Sequence, residues 1–171
     1  MQMVKKSGIA LIVAWFAILV LMPKQEFYYK LEESLAKHEI ELNEEKIDEG
    51  FFSLGLHQVT VYFKGIPVAT IEEMDLSTLL FYSSLELEGL HVDDSLKRMV
   101  PQETQKALLS HTIFSPLTVS VDAEGSFGGM TGVIDLHARK VHLDFNESKN
   151  IEMLKPQLKK GEKGWVYETS F

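Results

Sequence analysis

From His38 onward the apolar residues recur at every second position, and a chain that keeps this period is committed to strands that bury one face. Ile40 and Leu42 alternate with polar neighbours, and so do Val59, Val61 and Phe63 in the run Gln58 to Lys64. Gly65 and Pro67 punctuate that run before a second extended segment, Val68 to Ile71. The apolar register then shifts to Met74 and Leu76 across Glu72-Glu73, as a bulge would shift it. Leu85 and Leu87 continue the pattern until a second shift, at Gly89, moves it to Leu90 and Val92. This is the signature of adjacent antiparallel strands in a meander.

Pro101 followed by Gln102-Glu103-Thr104-Gln105-Lys106-Ala107-Leu108-Leu109 interrupts the alternation. Those residues have good helix propensity behind a proline suited to a first turn, which predicts a short helix. Leu117, Val119, Val121 and Ala123 then alternate with polar residues as a half-buried strand, and Gly125, Gly128, Gly129 and Gly132 mark a turn and a bend. From Val133 to Phe145 the chain reads as a hairpin. With Arg139-Lys140 as a two-residue turn, Leu136 faces Leu143 and Ile134 faces Phe145. The objection is chemical, because Arg-Lys suits a turn requiring positive φ poorly. After Glu147 the chain is polar and basic, with Lys155, Lys159, Lys160 and Lys163, and Trp165-Val166-Tyr167 is a candidate edge strand. The tripeptide Gly-Leu-His occurs at 55–57 and again at 89–91, which suits similar hairpins but does not establish a solenoid.

Ahead of the β region stands Gly8–Met22, GIALIVAWFAILVLM, with no charge and only the Trp15 indole as a strong polar group. At ~1.5 Å per residue a helix of this length covers some 23 Å of a hydrocarbon core of about 30 Å. Lys5 and Lys6 before the run can snorkel to headgroups, and Phe27, Tyr28 and Tyr29 after it form an aromatic interface belt. Val20 to Lys24 offers no small residues for cleavage, so the run is expected to stay as an anchor. Positive charge before it predicts a cytoplasmic N-terminus. Phe27, Leu31 and Leu35 recur at four-residue spacing, which continues a helix to about Lys37 with one apolar stripe. The expected organisation is thus residues 1–24 as N-terminus and anchor, 25–37 as a juxtamembrane helix, 38–146 as the β domain, and 147–171 as a basic tail.

Three of the 17 basic residues precede Glu26, leaving 14 against 25 acidic ones, a net charge of −11. Such a domain has no electrostatic reason to bind nucleic acid or an anionic lipid surface. The absence of cysteine excludes disulfides, thiolate metal sites and a thiol nucleophile. In the proposed hairpin His137 stands opposite His142 and Asp135 opposite Asp144, a set with the ligand types zinc accepts, although a solvated outer face accounts for the same residues. Gly125-Ser126-Phe127-Gly128-Gly129 lacks the Lys-Ser/Thr of a phosphate loop, and no serine has a nucleophile-elbow context. No catalytic residue and no cofactor is assigned, and an enzyme is not expected.

The apolar face remains. Val59, Val61, Phe63, Leu85, Leu87, Leu117, Val119, Val121, Leu136 and Leu143 must be covered. Either two sheets pack together as a sandwich, or one curved sheet forms a groove that accepts acyl chains.

One further pattern spans about Lys5 to Phe145: the single anchor, then Ser53-Leu54-Gly55-Leu56 leading to Val59–Phe63, Gly65-Ile66-Pro67-Val68-Ala69 and Ile71, then Ser115-Pro116-Leu117 to Ala123–Gly129 and Gly132-Val133-Ile134-Asp135-Leu136. It resembles type II secretion system protein N. That resemblance implies an inner-membrane, single-pass protein with a periplasmic β domain, similar in architecture to AsmA-like envelope proteins. It implies an accessory or structural role in a secretion, pilus or related envelope machine, and no catalytic motif. The partners expected are inner-membrane lipid and other proteins of that machine, a second copy of the chain among them. The alternative expectation is a β-groove module that binds lipid or a partner strand.

Overall fold

The computed structural model describes residues 24–79, 81–96, 100–146, 151–152, 154–161 and 164–171, without the side chains of Lys24 and Phe27. The apolar run Gly8–Met22 with its neighbours Lys5, Lys6 and Trp15 lies outside them. Among the described residues no helix is long and apolar enough to cross a membrane.

A helix, α1 (Lys24–Ala36), leads into eleven strands. They are β1 (Ile40–Asn43), β2 (Lys46–Glu49), β3 (Ser53–Phe63), β4 (Ile66–Leu79), β5 (Tyr82–Val92), β6 (Glu103–Thr112), β7 (Thr118–Gly125), β8 (Gly128–Asp135), β9 (Lys140–Phe145), β10 (Lys159–Lys160) and β11 (Trp165–Ser170). All pairings are antiparallel and all strands belong to one sheet, in the order β1-β3-β4-β5-β6-β7-β8-β9-β11-β10, with β2 beside β1 on the edge of β3. The fold is mainly β, an antiparallel meander with one α-helix among the described residues. One sheet, not two, carries the core.

Cross-strand pairing turns the alternation into apolar rows across that sheet. Leu54 faces Leu76, Leu76 faces Leu85, Leu85 faces Leu109 and Leu109 faces Val121. The next row runs Leu56, Met74, Leu87, Ala107, Ala123, Met130 and Phe145. Between these rows and the next, Val59–Ile71–Leu90–Thr104, the parity of the buried positions changes in four neighbouring strands. No extra residue is inserted at Glu72-Glu73 in β4 or at Gly89 in β5, so those shifts are not bulges; the irregularity between β3 and β4 lies at Val61/Tyr62 instead. Pairing resumes in unchanged register on either side of a line through Gln58, Glu72 and Gly89. Gln58 and Gly89 take left-handed backbone, φ 52° and 62°, which turns the following side chain to the other face. Glycine suits 89 because φ is +62° there, a conformation other residues adopt with strain.

The short helix expected over Gln102–Leu109 is corrected to strand β6. Intrinsic helix preference amounts to a few tenths of a kcal/mol per residue. It is outweighed when Thr104, Ala107 and Leu109 complete rows already begun in β5 and continued in β7. The Gly-Leu-His copies are not structural equivalents, since Leu56 and Leu90 lie in different rows on opposite sides of the crease.

Two plugs cover the apolar face. Tyr28 from α1 packs with Leu54, Leu56, Val59, Ile71 and Met74. At the other side Ile151 joins Ala107, Ala123, Phe127 and Phe145, with Leu158 and Trp165 against them. Leu87 touches both clusters, which places them on the same face.

Candidate functional site

Between the plugs the apolar face is open. A cleft of about 490 Å³ is walled by Tyr28 and Leu31 of α1 and floored by Leu54, Leu76, Leu85, Leu109 and Val119. Polar groups gather at one end, where Thr78, Ser83 and His111 belong to the row beside the loops at 79–82 and 112–117. The cleft is therefore amphipathic along its length, apolar towards the sheet centre and polar at the loop end. His111 is itself held by a 3.1 Å contact from Nε2 to the Pro116 carbonyl.

Of the residues expected to form the apolar face, Leu85 and Val119 line this cleft. Val59 is fully buried beneath Tyr28, while Val61, Leu87, Val121 and Leu143 are half-buried elsewhere on the face. Phe63, Leu117 and Leu136 are exposed at the sheet's ends. The sequence reading missed Leu109 because it sat in the expected helix; Leu76 was read in the shifted register after Glu72-Glu73 but not placed on the face, and Leu54 was not read in an alternating run.

Tyr28 was expected in an interfacial belt, and that assignment is corrected. Its side chain is 2% exposed in the protein's own core, whereas Tyr29 is half exposed and the Phe27 side chain lies outside the description. Among the described side chains of α1, Tyr28 is thus the buried one, and Leu31 is 39% exposed beside the cleft. The Tyr28 hydroxyl donates to Glu44 Oε2 at 2.8 Å. Burial, then the hydrogen bond to Glu44, holds the phenol far above its ordinary range. Burial and the charge of Glu44 likewise raise the carboxyl of Glu32. A carboxyl raised in the folded state favours folding fully below its unfolded pKa and loses that support as pH rises through the folded value. Glu32→Gln is therefore expected to raise Tm at neutral pH, with the gain vanishing below the ordinary glutamate range. Thermal melts at both pH values check this.

The expected His/Asp ladder does not form. The β8–β9 connection is the four-residue turn Leu136–Arg139, so His137 lies in the turn and His142 pairs with Val133. Asp135 pairs with Lys140, and its Oδ1 accepts from the Ala138 amide at 2.7 Å, an aspartate turn. Asp144 pairs with Thr131. A two-residue turn would need two left-handed residues; here only Arg139 is left-handed, at φ 51°. The slip moves the pairing by an even number of residues, which keeps Val141 and Leu143 on the apolar face. His142 instead stands between Asp144 and Glu168, 3.1 Å from each. Among the described residues no group of three or more His, Asp or Glu is placed to hold a metal. Gly125–Gly128 closes a tight turn that folds Phe127 onto Phe145 edge to face, ring centroids 5.9 Å apart. No family model, no curated protein and no solved structure matches the chain.

Proposed function

We propose that this protein is a membrane-tethered β-groove module that holds one apolar chain, such as a lipid acyl tail, in the cleft between α1 and strands β4 to β7. The observation that carries the reading is the cleft itself. It is of ordinary ligand-pocket size, with leucines, Val119 and an aromatic wall as its apolar lining and its serines, Thr78 and His111 in two neighbouring rows at one end. An amphiphile fits that polarity, tail against Leu85 and Leu109 and head beside Thr78, Ser83 and His111. The apolar run Gly8–Met22, read as the tether, joins the cleft wall directly through α1.

A photoactivatable fatty acid crosslinked to the full chain in membranes tests this. Modification is expected on strands β4 to β6, around Leu76, Leu85 and Leu109. Label confined to residues 8–22 would mean that the chain meets lipid only through its tether, and the groove reading would be abandoned.

A second reading, a fixed accessory part of a secretion or related envelope machine, draws on the sheet edge. Only Lys159 and Lys160 pair with the outer side of β11, and among the described residues no strand pairs with Tyr167–Ser170 there. Strand addition by a partner would use that edge.

A further inference from the structure

The large exposed apolar side chains are concentrated at one end of the sheet. Phe51, Phe81, Ile113, Phe114, Leu117 and Leu136 come from four separate connections, and Phe114 is 83% and Phe51 76% exposed. Backbone hydrogen bonds join the connections side by side: Thr78 to Phe52, Ile113 to Phe81, and Leu136 to Leu117. Phe81 and Phe114 stack with ring centroids 6.0 Å apart. The result is a continuous apolar rim, not scattered exposure. In a chain with 25 acidic residues, positions 50–52, 79–82, 113–117 and 136–139 contain none, and they include Arg139.

The rim lies at the end of the domain where the chain enters. Tyr28 and Leu31, in the first two turns of α1, line the cleft beside Phe52, Thr78 and Ser83. The chain after the helix meets the opposite end, where the Lys64 amide donates to the Glu39 carbonyl. In the sequence the apolar run ends at Met22, two residues before Lys24. The start of α1, the rim and the polar mouth of the cleft thus share one end.

We propose that this rim seats in the headgroup region of the bilayer that receives Gly8–Met22, so that the cleft mouth opens onto the membrane surface. The inference rests on the tethered reading above. Aromatic side chains are suited to that zone, and the lack of carboxylates removes the repulsion that the rest of this acidic domain would meet at phosphates. A lipid tail would then pass from bilayer to cleft without crossing water.

The chain has no cysteine, so single labels report one place each. The full protein carrying Phe114→Cys, Ile66→Cys or Trp15→Cys, labelled with bimane, is reconstituted in vesicles of brominated phosphatidylcholine. Ile66 is an equally apolar control, 64% exposed at the opposite end. The Phe114 label is expected to be quenched roughly twofold or more relative to the Ile66 label, as for groups seated about 5–10 Å into the boundary. Trp15 quenched with Phe114 no more quenched than Ile66 overturns the rim proposal and leaves the tether standing. Trp15 unquenched overturns both. Disulfide crosslinking between two copies of the unlabelled Phe114→Cys protein under a mild added oxidant, without lipid quenching of the labelled one, would assign the rim to a second copy and overturn bilayer contact.

Discussion

Tyr28→Ala is expected to remove about 3–5 kcal/mol of stability, as truncation of a fully buried aromatic side chain usually does. The ring is the part of α1 that closes over Leu54, Leu56, Val59, Ile71 and Met74, and among the described side chains of the helix none other is buried as deeply. For a chain of this size each kcal/mol corresponds to roughly 2–4 °C in Tm, so a fall of some 6–20 °C follows. Tyr28→Phe keeps the ring and loses the hydroxyl's hydrogen bonding to Glu44 and Glu32, both half-buried acceptors that water can reach. Its cost is about 1 kcal/mol. Melts of the full chain in nanodiscs, followed by the β-sheet circular dichroism signal, separate the two variants. An interfacial anchor at this position predicts the opposite result, with the β signal melting unchanged in both.

Leu109→Trp is expected to weaken uptake of a fluorescent long-chain fatty acid at least tenfold, about 1.4 kcal/mol. Leu109 sits in the middle of the cleft floor between Leu85 and Val121, and an indole there occupies the space an acyl chain would fill. Each methylene kept out of the cleft forfeits about 0.8 kcal/mol of burial, so partial filling suffices. Val133→Trp is the control. Val133 pairs with Ser120 and His142 on the other face of the same sheet and is 41% exposed. Uptake equal in wild type, Leu109→Trp and Val133→Trp would place the fatty acid somewhere other than the cleft.

Strand faces were legible from sequence because side-chain direction within a strand depends only on local backbone. Val59, Leu85, Leu87, Val119, Val121 and Leu143 all belong to the face they were read on, and even the misplaced β8–β9 turn kept Leu143 there, since its slip was even. The candidate site was less legible. Helix propensity over Gln102–Leu109 hid Leu109, and turn chemistry misjudged by two residues brought His137 and His142 together on paper only. At 28 the aromatic type pointed equally to a membrane interface and to a core, and only the packing of α1 on β3 and β4 decided between them.

The sequence by itself determined an acidic, cysteine-free, antiparallel meander with one apolar face and an apolar run ahead of it. Those properties follow from composition and from a period of two, which each residue sets with its neighbours. Tertiary structure alone decided that the strands form one sheet, that Gln58, Glu72 and Gly89 align as a crease, and where α1 and the Ile151 segment leave the cleft uncovered. It also gathered Phe51, Phe81, Phe114 and Leu136 into one rim. Each of these depends on contacts between residues far apart in the chain, where register and covering element are chosen by packing that no local pattern encodes.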